Sequence, residues 1–581
     1  MTVKSLLLTA TEHLIAKDTL MLGKWCKNTR NSEHQTFAYP WNNRKLLEDD
    51  YSEATKMEEL LLLRLTGELN FIHKTDFKVD SWRIILGAWL GVLTQVIAER
   101  QRCLLDCLES NKDIDTIFVK DLPSEPIVPV TTIHFFDLTG VDVWNDWLYQ
   151  KLIDGLGRDF HLRQVVTTKA ELSEAFHSKP SIKLKAIKRL LNRISGALKT
   201  NRSSFIVSSY LGWRGDLSLY MKLGQAPKYW WSEIPKLHDI EQPSSMRKEF
   251  VARLIARAKT DHEKVVSEIV ADQIPQAFLE DFLHLSDQAK TSSWPTKPRV
   301  IFTSNGTWFD EVFKIWAAER RQSENTRLVL SQHGGNYGIS KLNFAERMEV
   351  SQADTFVSWG WNDSIQQNVV PLSSGKLFNP RIRHHAKNEG SLLLVQASFP
   401  RYSNWIGSFP IGPQTATYFD QQRYFFEELS NAIQKKSIVR LYPKDFGWYE
   451  KEKWLKRFPS IEFDPNPSMY NSMARCKLFV CSYNATTYLE SLSSGIPTIM
   501  FWDPDLWEIR EDALPYFSAL ENLGILHYSP DSAAAYINRI WADIEKWWNE
   551  PERQNVVSDF TFRFARSEND WVDQLASVLK Q

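Results

Sequence analysis

The chain has 581 residues, 43% hydrophobic and 24% charged, which is too long for one ordinary core and sets an expectation of two or three globular domains rather than disorder. Lys plus Arg number 70 against 71 Asp plus Glu, so no overall field draws the chain to nucleic acid and any basic site must be local. The five cysteines, Cys26, Cys103, Cys107, Cys476 and Cys481, form no CxxC pair and are odd in number, which argues against a disulfide framework or a zinc site and fits a reducing cytoplasm.

In chain order, residues 2–9 read as a strand, because Leu6-Leu7-Leu8 is shorter than a secretory apolar core. A long helical region runs from Ser52 to about Ser110. Its most apolar stretch, Ile84 to Ala98, falls short of the ~20 residues that cross a bilayer, so no span is expected. Thr131–Phe136 and Phe205–Ser208 read as strands. Between them, Lys179–Arg202 holds Lys and Arg but no acid, with Ile187, Leu190, Leu191, Ile194 and Leu198 on one helical stripe. Such a helix either lies on an anionic membrane or packs as a solvated basic face, and the sequence leaves both open.

The middle third alternates strands Arg299–Thr303, Arg327–Ser331 and Thr355–Ser358 with helical segments such as Glu311–Ser323, the rhythm of a parallel sheet. Residues 2–9 are expected to open that same lobe. Lys376–Gly390 lacks apolar periodicity and reads as a hinge, placing a boundary near 388. Strands at Leu392–Gln396, Ile438–Leu441, Ile461–Phe463, Leu478–Cys481 and Thr498–Phe501, with helices at Tyr418–Lys435, Lys451–Phe458, Ser468–Ala474 and Thr487–Ser494, predict a second doubly wound sheet with ligands outside the strands' carboxyl ends. The expected organisation is a first lobe over 1–388, a nucleotide-binding lobe over 389–530, and a Trp-rich helical segment over 531–581 that crosses back to the first lobe.

Three loops at strand ends carry candidate chemistry. In Cys481-Ser-Tyr-Asn-Ala-Thr-Thr-Tyr-Leu-Glu490, hydroxyls at a strand-to-helix junction make an anion cradle: Ser482, Asn484, Thr486 and Thr487 would surround a phosphate and Glu490 would reach a ribose hydroxyl. The plainer alternative is that Asn484 or Thr486 only caps the helix. Arg440-Leu-Tyr-Pro-Lys444 offers Arg440, Tyr442, Pro443 and Lys444 to the same crevice, unless Arg440 merely pairs with Asp445. Gln332-His-Gly-Gly335 brings a histidine able to donate, accept or carry charge into a glycine-rich loop where backbone can approach a ligand, although a structural histidine fits equally. Acids near such a site that could act as base or nucleophile are Glu12, Asp310 and Glu346, with Glu349 close by.

The combination of Leu6-Leu-Leu-Thr-Ala-Thr-Glu12, Leu22-Gly-Lys-Trp-Cys26, Trp82-Arg-Ile-Ile-Leu-Gly-Ala-Trp-Leu90, Gln332-His-Gly-Gly335, Trp359-Gly-Trp361 and Ser482-Tyr-Asn-Ala-Thr-Thr487 resembles a group of bacterial O-antigen and capsule transferases first named from Leptospira. The resemblance implies a GT-B fold and surface-glycan assembly, often beside pathways for nonulosonic acids such as pseudaminic or legionaminic acid. A looser similarity is to capsular Kdo transferases and bacterial sialyltransferases, which use CMP-sugars and grip the nucleotide with a His-Pro turn and a Ser-rich turn. Tyr442-Pro443 and Ser482 stand at those places here, and Tyr442 cannot carry the histidine's charge, which leaves UDP- and GDP-sugars open.

The reading is therefore an α/β, GT-B-like chain of two Rossmann-type lobes facing a central cleft, with C-terminal helices. It would be a cytoplasmic glycosyltransferase, peripheral at the inner face of the membrane. The C-terminal lobe would hold a nucleotide-sugar donor, a CMP-sugar by resemblance. The first lobe would bind a glycan or lipid-linked oligosaccharide acceptor and supply His333 and one acid. No metal is required of such a donor.

Overall fold

Short β-rich runs bounded by turn residues assemble into three wholly parallel sheets. The computed structural model describes residues 4–10, 18–27, 34–122, 127–168, 203–240, 242–377 and 390–581. The first sheet holds β1 (Ser5–Leu7), β2 (Thr19–Met21), β3 (Thr116–Lys120) and β4 (His161–Val165) in the order β2-β1-β3-β4. The second runs consecutively from β5 (Ser204–Ile206) through β6 (Val300–Thr303), β7 (Arg327–Ser331) and β8 (Thr355–Ser358) to β9 (Val369–Pro371). The third contains β10 (Leu392–Val395), β11 (Ser437–Arg440), β12 (Glu462–Phe463), β13 (Leu478–Cys481), β14 (Thr498–Phe501) and β15 (Leu526–His527), ordered β12-β11-β10-β13-β14-β15. Renumbered from its own first strand that order is 3-2-1-4-5-6, the Rossmann arrangement. Its two central strands, β10 and β13, are uninterrupted apolar runs buried at every position, as a sheet covered on both faces requires.

The α/β class is as expected, but the first lobe differs from the sequence reading. β1 pairs with β2 and β3, not with the middle strands, so residues 2–9 open a separate sheet and not the one that carries β6 to β8. Thr131–Phe136, expected as a strand on its β-branched and aromatic content, is the start of the helix Thr132–Leu138. The Thr131 hydroxyl accepts from His134 N–H, and that cap outweighs the intrinsic preference. The early helical region is a hairpin of Arg44–His73 and Val79–Ser110, broken where Lys74 turns left-handed (φ 53°).

Val79–Ser110 is the one described helix long and apolar enough to cross a membrane, and 89% of its apolar window is buried inside the protein. Gly87 and Gly91 let it meet the helix Phe344–Gln352 at close range; a Cβ on Gly91 would lie 2.3 Å from the Phe344 ring. Tryptophans fill the core, and among the described residues only Trp213 and Trp231 are exposed.

The last helix, Trp571–Lys580, lies on the middle sheet: Trp571, Leu575 and Leu579 pack with Ile206, Val300, Phe302 and Val329, and Arg299 donates to the Leu579 carbonyl (2.7 Å). The basic stretch Lys179–Arg202, most of the hinge segment and Glu12 lie outside the described residues.

Candidate functional site

In the third sheet the connections from β10 and β13 leave in opposite directions, which opens a crevice outside their carboxyl ends. β13 runs into Ser482–Ala485 and then the helix Thr486–Ser493. Ala485 is the N-cap and no side chain caps the helix, so its first-turn N–H groups have no side-chain acceptor and present the positive end of the dipole to the crevice. Neither Asn484 nor Thr486 is therefore a mere cap. The Asn484 Oδ1 accepts from the Tyr488 hydroxyl (2.9 Å), while its Nδ2 is buried without a partner among the described residues.

Several expected phosphate donors are otherwise engaged. Ser482 is fully enclosed, 3.0 Å from both the Tyr418 hydroxyl and the Val395 carbonyl, so it ties β13 to its neighbours and is not free to grip a ligand. Thr487 donates to the Tyr483 hydroxyl (2.9 Å). Thr486 alone turns outward across the cleft. Glu490 accepts from the Tyr470 hydroxyl (3.0 Å) and faces Lys376 electrostatically.

Arg440 also departs from the expectation. Its guanidinium pairs with the buried Asp464 and donates to the Asn466 carbonyl (2.7 Å), so it fastens the chain that follows β12. Asp445, the other partner weighed for it, instead accepts from Tyr449 and Glu450 N–H at the start of the next helix. Tyr442 is half exposed and Pro443 is exposed at the end of β11. Lys444 is exposed and reaches Asp137 of the first lobe at 3.6 Å.

The carboxyl ends of the middle sheet face this crevice. Gln332, at the end of β7, shapes the glycine loop: its Oε1 accepts from Trp359 N–H (3.0 Å) and Trp361 Nε1 (2.8 Å), and its Nε2 donates to the Gly334 carbonyl (2.8 Å). The loop then touches the other lobe. Gly335 N–H donates to Thr486 Oγ1 (2.8 Å), and a Cβ on Gly335 would fall 2.1 Å from the Ala485 carbonyl carbon, so only glycine permits this approach. The glycine loop and the helix N-terminus, read separately from sequence, form one site.

His333 sits in that loop with its side chain about one-fifth exposed. Its Nδ1 is 3.4 Å from the Tyr337 hydroxyl and 3.5 Å from Glu349 Oε1, and its Nε2 has no partner among the described residues. Burial, aided by the Lys376 charge, lowers its pKa to about 4, which keeps the imidazole neutral near pH 7. Glu349 is wholly buried and accepts from Trp308 Nε1 (2.6 Å); burial pushes its carboxyl well above the usual range. Lys376, just past β9, donates to the His333 carbonyl (2.7 Å) and lies over the Tyr210 and Trp359 rings.

Glu346 and Asp310, two of the acids named from sequence, are engaged elsewhere. Glu346 accepts from Gly338 N–H (2.6 Å) and pairs with Arg510 of the C-terminal lobe (3.0 Å), so it locks the lobes together; burial raises its pKa to about 7. Asp310 caps the helix Glu311–Glu324 by accepting from Phe313 N–H (2.9 Å), with its pKa also raised by burial to about 7. The acid that faces His333 is Glu349. It shares the helix Phe344–Gln352 with Glu346, where i, i+3 neighbours differ in outlook and nothing in the sequence ranks one above the other. Tyr210 and Lys376 were not singled out, although each follows a strand on the ligand-facing side of its sheet. Among the described residues no three His, Cys, Asp or Glu side chains cluster as metal ligands.

The middle and C-terminal parallel sheets, with opposed strand ends and a nearly shut cleft between them, and the returning C-terminal helix make a GT-B-like architecture. The chain belongs to the LIC12162 family transferases, whose family model matches residues 4–579. No curated protein matches it by sequence. Solved structures to which it is similar include WaaG, a glycosyltransferase involved in lipopolysaccharide biosynthesis, at 12% identity over 65% of this chain and 97% of that one, TM-score 0.28. Others are the wall teichoic acid polymerase TagF (9%, 68% and 93%, TM-score 0.31) and MurG of Acinetobacter baumannii (8%, 66% and 99%, TM-score 0.31).

Proposed function

We propose that the protein is a glycosyltransferase that moves a sugar from a nucleotide-activated donor to a hydroxyl of a surface-polysaccharide acceptor. The donor is proposed to be a CMP-linked nonulosonic acid or Kdo. The single observation that carries the reading is the contact between the His333–Gly335 loop and the Thr486–Ser493 helix N-terminus, which sets a neutral histidine beside an anion-binding backbone.

In this reading the donor phosphate lies against the free N–H groups of Thr486 and Thr487, with Lys376 supplying nearby positive charge. His333 Nδ1 is turned to Tyr337 and Glu349, which leaves Nε2 as the atom that takes the acceptor's hydroxyl proton. The acceptor oxygen bonds to the anomeric carbon, the bond from that carbon to the phosphate oxygen breaks, and the nucleotide leaves toward the helix dipole. A phosphate leaving group of this kind needs little acid assistance. The acceptor, free or lipid-linked, would be met at the cytoplasmic face of the membrane.

A thermal-shift panel of CMP, CDP, UMP, UDP, GDP and ADP tests this, because a ligand of the native state raises its melting temperature by mass action. Selective stabilisation by CMP supports the sugar-acid donor. Selective stabilisation by UDP or GDP replaces it with a hexose donor, and no response to any nucleotide overturns the reading.

A further inference from the structure

Beside His333 the loop after β5 holds an aromatic ring in a way that packing does not explain. Tyr210 is 46% exposed, although a tyrosine ordinarily buries most of its ring. Its backbone is left-handed (φ 60°), as is that of Ser208 (φ 48°), and neither residue is glycine. Such positions are strained for residues other than glycine and persist only where their surroundings fix them. Ser304 does so: its N–H donates to the Ser208 carbonyl (3.0 Å) and its hydroxyl to the Ser209 carbonyl (2.8 Å). Ser209 Oγ in turn receives Leu211 N–H (3.2 Å) and donates to Asp216 (2.5 Å).

The ring is held as firmly as the backbone. Asn305 Nδ2 donates to the Tyr210 hydroxyl (2.9 Å), Lys376 Nζ lies 5.4 Å from the ring centroid, and the His333 ring is 5.8 Å away, centroid to centroid. A half-exposed, pinned aromatic ring next to a neutral imidazole suits one kind of ligand. The C–H face of a pyranose stacks on such a ring, while its hydroxyls reach the amide and ammonium groups around it.

We propose that Tyr210 is the platform for the acceptor sugar, stacking on one face of a pyranose so that a hydroxyl of that ring lies at His333 Nε2. This rests on the reading of His333 as the base, and it adds the substrate element that reading lacks: a neutral hexopyranose recognised by its face. The backbone strain has a role in this arrangement, because a relaxed turn would not carry the ring over the end of the sheet.

The test is saturation-transfer-difference NMR on the full chain with a panel of methyl hexopyranosides (glucoside, galactoside and N-acetylglucosaminide), using wild type, Tyr210→Ala and Tyr210→Phe. Transfer to the ring protons of at least one pyranoside is expected in wild type, retained in Tyr210→Phe and lost in Tyr210→Ala. Absence of transfer in wild type, or undiminished transfer in Tyr210→Ala, overturns the proposal. The nucleotide thermal-shift response, read on the same three samples, separates the two claims. An equal response in all three shows that Tyr210→Ala is folded with an intact donor lobe, whereas wild type binding a pyranoside but no nucleotide removes the transferase reading and leaves the sugar platform standing.

Discussion

Gly335 and Gly334 are neighbours in one loop, yet the structure assigns them opposite tolerance to a methyl group. A Cβ on Gly335 would lie 2.1 Å from the Ala485 carbonyl carbon, 2.3 Å from its oxygen and 2.4 Å from Thr486 N, and backbone atoms cannot step aside. To reach the ordinary contact distance of 3.4 Å the loops must part by over ~1 Å, which breaks the 2.8 Å bond from Gly335 N–H to Thr486 Oγ1 and draws His333 off the Thr486–Ser493 helix. A misplacement of about 1 Å costs roughly 100-fold in turnover, and the overpacking itself costs about 1–3 kcal/mol of stability. A Cβ on Gly334 meets nothing nearer than 3.8 Å, so Gly334→Ala is expected to melt and turn over like wild type. The assay is turnover of the donor selected by the nucleotide panel, with melting temperature read alongside. Equal behaviour of Gly334→Ala and Gly335→Ala, in either direction, would refute the claim that this approach closes the site.

His333→Gln is expected to lose about 10²–10⁴-fold in turnover while keeping the nucleotide thermal shift. With a base of pKa about 4, wild-type turnover should hold from neutral pH down to about pH 5 and fall only as pH drops through about 4; a midpoint near 6.5 would show the imidazole to be solvated. The Glu346 carboxyl, raised from 4.5 to about 7, binds more protons folded than unfolded between those values. Its contribution to stability is therefore full below about 4.5 and lost as pH rises through 7, and Glu346→Gln should flatten the melting profile over that window. Arg440→Ala removes the ion pair with Asp464, which keeps Ser472 and Asn466 as donors, and should cost about 1–2 kcal/mol of stability, seen in denaturant melts, without a selective loss of nucleotide binding. Ser482→Ala removes a hydroxyl held between Tyr418 and Val395 and should cost about 1–2 kcal/mol, again with nucleotide binding kept.

The C-terminal lobe was legible because its strands are short, mostly apolar runs separated by helical segments: the expected strands at 392, 438, 461, 478 and 498 lie within a residue or two of β10 to β14. The first lobe was harder. Strands such as β1, β2 and β5 span only three residues each, too few for a period to declare itself, and their sheet membership depends on pairings across long helical insertions. In the site, the loops that matter were found by their place after strands. Which side chains in them face the cleft was not, because Ser482 and Arg440 satisfy internal partners that sit far along the chain, Tyr418 and Asp464. Glu349 and Glu346 could not be ranked from sequence, since one helical turn sends them to His333 and Arg510 respectively. Tyr210 lies in a turn whose strain is visible only in its dihedrals.

The most direct test of the donor site is a structure of the protein with the nucleotide selected by the panel. The account predicts phosphate oxygens within hydrogen-bond distance of Thr486 and Thr487 N–H, with His333 Nε2 facing the same space. A nucleotide bound in the first lobe, or against Arg440 and Ser482 with the Thr486–Ser493 helix N-terminus untouched, would contradict it.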